Sequence, residues 1–376
     1  MRAYATGCLF GLMVSVSGGC AFAQGTTLPW GQHSDMVSWE VFVQITAPSG
    51  NPQSPGVEFE SWASNEDIYT QSPKWPAVNA PKRLQVSGLA NIHRGPRPEA
   101  INPSQCVQDY DKAEAKAAGF PQDGCIGEEV RRNWASFQYI VSNDLFSKAG
   151  LAKAFQNNFK VDLPADAIEF KGDWARVTDV MHWHNLTEQQ VNELFYTNSA
   201  ANGTSTERYA LIAFHFSSKQ IKDWVWADFE HQLNPGRCDD IGCHDSFGAT
   251  VADVSARTPA NQQYGQCVKS PAVDAMFKNA GTSPVWRNYC LKGSQVTFVD
   301  SGGAASLLGN SVIERINAGV PIKSSSCISC HGYASFDKDG FANGDAASAN
   351  FTGKVDPAQL KGFVTNDFLW GIVHIR

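Results

Sequence analysis

The chain has 376 residues and a formal net charge of −7, which comes from 30 basic and 37 acidic side chains. Apolar residues make up 43% of it and charged residues 18%, a globular composition that excludes disordered, collagen-like and coiled-coil chains. The length suggests two domains, at about 150 residues per domain. A mildly acidic chain has no general attraction to nucleic acid or anionic lipid, so neither is expected as a partner.

The first 23 residues have the layout of a secretory signal peptide. Arg2 supplies the positive charge, an apolar stretch follows at 8–16, and a small-residue A-x-A site ends at Ala23. We therefore expect a periplasmic or secreted protein, cleaved near Ala23. The alternative is a lipoprotein anchored at Cys20, although the residues before it lack the usual aliphatic one. No later apolar run approaches the ~20 residues needed to span a bilayer.

Residues 24–300 are predicted to form one mixed, mainly β domain with inserted helices and long loops. Alternating apolar residues predict strands at 39–46 and 57–63, and helical spacing predicts helices within 126–158. After Pro164 the period changes to two, which predicts three strands: Ala167–Thr178, Tyr209–Ser218 and Asp223–His231.

Residues 301–376 are predicted to form a second, small and mostly helical domain. Apolar residues spaced by four predict a helix over 307–318, which Gly319 stops. Asp356 followed by Pro357 is typical of an N-cap and first helical residue, so a last helix is expected to run as far as Gly371. The fold class expected for the whole chain is therefore α+β.

Between these two helices lies Cys327-Ile328-Ser329-Cys330-His331, a CxxCH motif. Two thiols three positions apart on one helical turn can form thioethers to the vinyl groups of haem, and the next residue then lies under the iron as its proximal ligand. The CxxC part alone would also suit a redox disulfide, a surface disulfide or half of a zinc site. The adjoining His and the exported context favour haem.

The segment 301–376 resembles a small c-type cytochrome domain, through its leading helix, the CxxCH motif and its closing helix. This resemblance covers about a fifth of the chain. It implies a mostly helical domain that carries one covalent haem c and transfers electrons, with Cys327 and Cys330 as attachment residues and His331 as the iron ligand. Residues 24–300 show no such resemblance to a family.

The sixth ligand of the iron departs from the pattern of that family. Such cytochromes usually supply a downstream Met, and this chain has no Met after Met276. The ligand would then be His374, a side chain of the large domain, or absent, and an open site would permit small-molecule binding or peroxide chemistry. The formal candidates in the large domain are Met36, Met181, Met276, His93, His182, His184, His215, His231 and His244.

The sequence contains ten cysteines, of which two fall within the predicted signal peptide. An even number in an exported chain suggests disulfides or cofactor attachment. We expect local disulfides between Cys106 and Cys125 and between Cys267 and Cys290, each closing a loop of about 20 residues and stabilising the fold by roughly 3 kcal/mol.

The remaining cysteines outside the CxxCH motif lie in one short segment. This segment repeats the order of two Cys followed by His, with a longer gap between the thiols. It predicts either a second haem or, as we favour, a short disulfide loop with an exposed His. The residues concerned are Cys238, Cys243 and His244.

His182-Trp183-His184 forms an HxH pair, with Glu188 following. On a strand both imidazoles would point to one face, which suits a transition metal. The alternative is a strand end without a ligand. We expect His215 and His231 to be structural.

Three functional hypotheses follow. The first is a cytochrome that passes single electrons to or from a redox partner protein or a small-molecule donor or acceptor. The second is a haem-dependent oxidoreductase, peroxidase- or oxygenase-like, with an open sixth iron site. The third is a haem-containing sensory or ligand-binding protein.

Overall fold

A computed structural model describes residues 32–50, 56–77, 84, 112–122, 124, 126–202, 205–250, 253–254, 264–347 and 351–373. The predicted signal peptide, the expected Cys106–Cys125 pair and the candidate ligands His93 and His374 lie outside these residues. Both helices and antiparallel strands are present, so the chain is α+β as predicted. In the described part of the chain, no helix combines the length and the apolar character that a membrane crossing requires.

An antiparallel sheet lies at the centre of the described structure, with its strands in the order β1-β2-β3-β5-β6-β9 and β4 paired to the first half of β5. Two small sheets pair β7 with β8 and β10 with β11. The strands are β1 (Ala63–Ser64), β2 (Ile126–Arg132), β3 (Ile168–Arg176), β4 (Thr197–Asn202), β5 (Ser205–Ser218), β6 (Val225–His231), β7 (Cys243–His244), β8 (Asp253–Val254), β9 (Tyr289–Gln295), β10 (Ser335–Phe336) and β11 (Val364–Thr365).

Helices cover both faces of this sheet. The α-helices are α1 (Gln32–Thr46), α2 (Asn65–Ile68), α3 (Lys112–Ala117), α4 (Trp134–Ser142), α5 (Lys148–Gln156), α6 (Val177–His184), α7 (Glu188–Leu194), α8 (Pro271–Ala280), α9 (Cys327–Gly332) and α10 (Gly344–Ala347). A π-helix spans Ser311–Asn317. Short 3-10 helices span Glu58–Ser61, Pro284–Asn288, Ile322–Ser324, Pro357–Leu360 and Trp370–Val373.

Strand β5 gives the sheet two unlike faces. Phe214 and Phe216 pack into the apolar cluster formed with α1 and α8, and Phe214 stacks on Phe229 of β6 with 5.2 Å between ring centroids. His215 lies between Phe214 and Phe216 in the chain and therefore points to the opposite face of the sheet. Charged residues on that second face are also buried, so they need partners within the protein.

Two strand predictions near the N-terminus were wrong. Residues 39–46 lie in α1, where Trp39, Phe42 and Ile45 are all buried. This stretch is apolar on nearly every side, so its alternation carried no information about secondary structure. Within 57–63, only Ala63 belongs to a strand.

The helical prediction for 126–158 was right in its second part and wrong in its first. Helices α4 and α5 occur, but Ile126–Arg132 is strand β2. Both faces of β2 bear charged residues with buried partners, Arg131 with Glu129 and Arg132 with Glu169. A strand that is charged on both faces shows no apolar alternation, which hides its period. The three strands predicted after Pro164 are confirmed as β3, β5 and β6.

The C-terminal segment differs in its last part from the prediction. The helix expected at 307–318 is confirmed in shorter form by the π-helix. The closing helix expected at 356–371 is wrong, because positive φ angles interrupt the chain at Gly362 (89°), Asp367 (54°) and Phe368 (70°). A domain division at residue 300 stays a prediction; residues on both sides of it share one apolar cluster.

Candidate functional site

The CxxCH motif forms α9 and is fixed to the end of the central sheet. The backbone N–H of Ile328 donates to Oε1 of Gln295, the last residue of β9, at 2.9 Å. The Gln295 amide in turn donates to Ser326 Oγ at 2.9 Å. Residues 327–329 are buried, whereas Cys330 and His331 are partly exposed. One end of the motif therefore reaches the surface.

His331 is oriented by a backbone carbonyl. Its Nδ1 lies 2.7 Å from the carbonyl oxygen of Phe368, and because a carbonyl only accepts, Nδ1 carries the proton. This leaves Nε2 as the ring nitrogen for a metal, the usual role of such a partner. Burial lowers the pKa of His331 to about 4, so the imidazole is neutral near pH 7, as metal ligation requires.

Asp367, the residue before Phe368, anchors the turn that presents the Phe368 carbonyl. The Asp367 carboxylate accepts from Lys219 Nζ at 2.6 Å and from the backbone N–H of Leu163 at 2.7 Å. Trp370, two residues beyond Phe368, donates its indole N–H to the carbonyl of Cys330 at 3.1 Å. The closing segment, which positive φ angles interrupt, thus holds both His331 and helix α9.

The cysteines of the motif differ from the other described cysteines. Disulfides join Cys238 to Cys243 and Cys267 to Cys290, which confirms both of these predicted pairs, whereas the thiols of the motif are free. Haem attachment at Cys238 and Cys243 would first require reduction of their disulfide.

The Cys327 thiol is buried and Cys330 is partly exposed, and both thiols are protonated near neutral pH. Burial raises the pKa of Cys330 to about 11, and burial together with the nearby carboxylate of Asp228 raises the pKa of Cys327 well above its usual value. Two reduced thiols followed by a neutral imidazole with a fixed tautomer are the donor set that covalent haem attachment uses.

A buried row of charged side chains crosses the polar face of the sheet beside the motif. Antiparallel register places His215 directly opposite both Lys171 and Asp228, so all three share this face. Three ion pairs lie along the row, listed by nitrogen–oxygen distance: Arg132–Glu169 at 2.6 Å, Lys171–Glu128 at 2.7 Å and Lys292–Glu230 at 3.7 Å.

At the centre of this row, an imidazole faces two carboxylates. His215 Nδ1 lies 3.6 Å from Asp228 Oδ1 and 3.5 Å from Glu314 Oε1. Asp228 connects this cluster to the motif, because its Oδ2 lies 3.7 Å from the Cys327 sulfur. Burial opposes the charged imidazole, but the two carboxylates outweigh it and raise the pKa of His215 to about 10.

The π-helix covers the polar face and is tied to it at both ends. The Ser311 backbone N–H donates to Glu230 at 2.8 Å, and the amide of Asn317 donates to Asp173. Glu314 lies between these contacts and therefore faces the sheet. The predicted helix thus supplies a site residue that sequence reasoning missed.

The other predicted ligands lie elsewhere. His182 and His184 lie on helix α6, not on a strand, so the HxH geometry of a shared strand face does not form. His231 is structural, as expected: its Nε2 contacts the Leu194 carbonyl at 3.0 Å. His244 is exposed, 2.6 Å from the Ile241 carbonyl.

Two of the three candidate Met ligands pack away from the motif, and the third, Met36, lies in α1. Met181 and Met276 pack against apolar clusters that contain no residue of the CxxCH motif. Among the candidate histidines, His215 shares the polar face and lies near enough for its charge to act on the pKa of His331.

Sequence reasoning named His215 only as a formal iron ligand and expected it to be structural, and it missed Asp228 and Glu314 as site residues. A signal was present, because His215 and Asp228 interrupt strands whose neighbouring positions are aromatic. Their placement together depends on the pairing of β5 with β6, which no local pattern specifies.

Comparison with known proteins adds no family or fold assignment. No protein-family model matches the chain, no curated protein matches its sequence, and no solved structure matches its fold.

The shielding of the thiols predicts slow alkylation. In haem-free protein carrying Cys327→Ser, Cys330 should react with iodoacetamide at pH 8 about two-hundredfold more slowly than an ordinary thiol, since a pKa near 11 leaves few thiolates. Urea should remove this protection. Equal alkylation rates of Cys330 in the folded and the unfolded protein would contradict the prediction that the fold shields this thiol.

Proposed function

We propose that this protein is an exported c-type cytochrome that carries one haem covalently and transfers single electrons. Its partner would be a redox protein or a small-molecule donor or acceptor. The observation that carries the proposal is the state of the motif: two free thiols on one turn of α9, followed by a neutral imidazole whose Nδ1 is held by the Phe368 carbonyl.

Haem c, when bound, supplies a one-electron couple at its iron. Cys327 and Cys330 would hold it through thioethers and His331 through Nε2. The Phe368 carbonyl fixes the tautomer of that imidazole, and the ring of Trp226, 4.6 Å away, restricts its rotation. The partial exposure of Cys330 and His331 supports exchange of electrons with an external partner.

Substitution of the motif cysteines tests the attachment. Cys327→Ala/Cys330→Ala should abolish covalent haem in exported protein, because both thioether sulfurs are lost. Haem that survives denaturing electrophoresis and stains in the gel measures this. The chain supplies a matched control in Cys238→Ala/Cys243→Ala, which also removes two cysteines that precede a His.

That control pair should retain full haem staining per folded chain. Haem that remains covalently bound in the Cys327/Cys330 variant, or that disappears equally in both pairs, would refute attachment at the motif.

A second candidate function is a haem-dependent oxidoreductase. The buried cluster of His215, Asp228 and Glu314 beside Cys327 favours it, because catalysis on oxygen or peroxide needs groups that hold and move protons. In this protein a proton would be held at His215 Nδ1, between the two carboxylates. A cytochrome that only transfers electrons has no need of this arrangement.

Carbon monoxide distinguishes the two functions. For electron transfer with a filled sixth site, the visible spectrum of the reduced, exported protein should stay unchanged when the gas is added. A clear shift would reveal an open or labile site and would favour the oxidoreductase.

A further inference from the structure

We propose that His215, Asp228 and Glu314 bind a divalent transition-metal ion that is separate from the haem iron. The three ligand atoms come from β5, β6 and the π-helix and all lie within 4.8 Å of one another. The site is built from side chains that the haem proposal does not use as attachment atoms or iron ligands, so it can be tested independently.

The spacing of the ligand atoms supports a shared ion. The imidazole nitrogen lies 3.6 Å and 3.5 Å from the two carboxylate oxygens, which is too long for hydrogen bonds. Two ligands at ~2.1 Å from a tetrahedral ion are about 3.4 Å apart. His215 Nδ1 is buried without a hydrogen-bond partner, and a bound ion would displace the proton that this nitrogen otherwise carries.

One carboxylate of the cluster is oriented from outside. The backbone N–H of Asn310 donates to Glu314 Oε2 at 2.5 Å, so that Oε1 faces His215. Such an outer contact is typical of metal ligands. The side-chain amide of Asn310 donates to Asp228 Oδ1, the oxygen that itself faces His215, at 3.3 Å.

Charge balance supplies an independent argument. Arg132, Lys171 and Lys292 each have a carboxylate partner of their own. This leaves the carboxylates of Asp228 and Glu314 facing the single imidazole of His215. A buried charge that lacks compensation is unfavourable, and a divalent cation would neutralise this excess.

Asp173 lies on the same face of the sheet, on the neighbouring strand β3. It is fully buried, and its Oδ1 has no hydrogen-bond partner. One imidazole nitrogen with carboxylate oxygens suits Zn²⁺, Mn²⁺ or Fe²⁺.

Metal analysis of the exported, haem-loaded protein tests the site. After treatment with EDTA and reloading with Zn²⁺, elemental mass spectrometry should find one zinc per chain. The pyridine haemochrome assay measures the haem content separately. Glu314→Gln keeps the shape of the side chain but removes its charge, and should weaken zinc binding at least tenfold. Glu193→Gln, an exposed substitution on α7, should bind as the wild type does.

Several results would overturn the proposal. The first is a folded wild type that takes up no zinc. The second is equal zinc affinity in the Glu314→Gln and Glu193→Gln variants. The third is a change of the haem spectrum in His215→Gln when zinc binds neither to this variant nor to the wild type. Should Glu314→Gln fail to fold, pulsed EPR of the Mn²⁺-loaded wild type decides the question. It should show coupling to one imidazole nitrogen, and the absence of that coupling would refute the site.

Discussion

Strands β5 and β6 carry aromatic side chains on one face and ionisable ones on the other, and the covering layers depend on this alternation. Phe214 and Phe229 require an apolar cover, which α1 and α8 provide. His215 and Asp228 require polar partners out of contact with water, which the π-helix provides through Glu314. Each cover is therefore chemically suited to the face that it buries.

The position of the CxxCH motif also depends on the polar face. Gln295 at the end of β9 fixes the start of α9, and the sulfur of Cys327 then lies against Asp228. On our proposal, buried negative charge next to the haem attachment would stabilise the oxidised iron and lower the reduction potential. The same charge is what the proposed divalent ion would offset.

Local sequence patterns predicted those parts of the structure whose surroundings are simple. Strands β3, β5 and β6 alternate clearly because one face of each packs against an apolar layer. The pattern was misleading in α1, which is buried on nearly all sides, and in β2, which is charged on both faces. The disulfides at Cys238 and Cys267 were predictable because their partners are close in sequence.

The motif residues could be identified from sequence, but their supporting residues could not. Cys327, Cys330 and His331 are contiguous, so their spacing indicates their chemistry. The Phe368 carbonyl that orients His331 belongs to a turn with positive φ angles, in a segment that reads as a helix. The cluster around His215 is assembled from three elements distant in sequence, and only their pairing reveals it.

The central claim is that this chain carries a single haem c, attached at the CxxCH motif. Mass spectrometry of the intact, exported protein under denaturing conditions tests it most directly. We predict the mass of the mature chain plus one haem, with the added mass located by fragmentation to the peptide that contains Cys327 and Cys330. The mass of the chain alone, or a haem located at Cys238 and Cys243, would contradict the account.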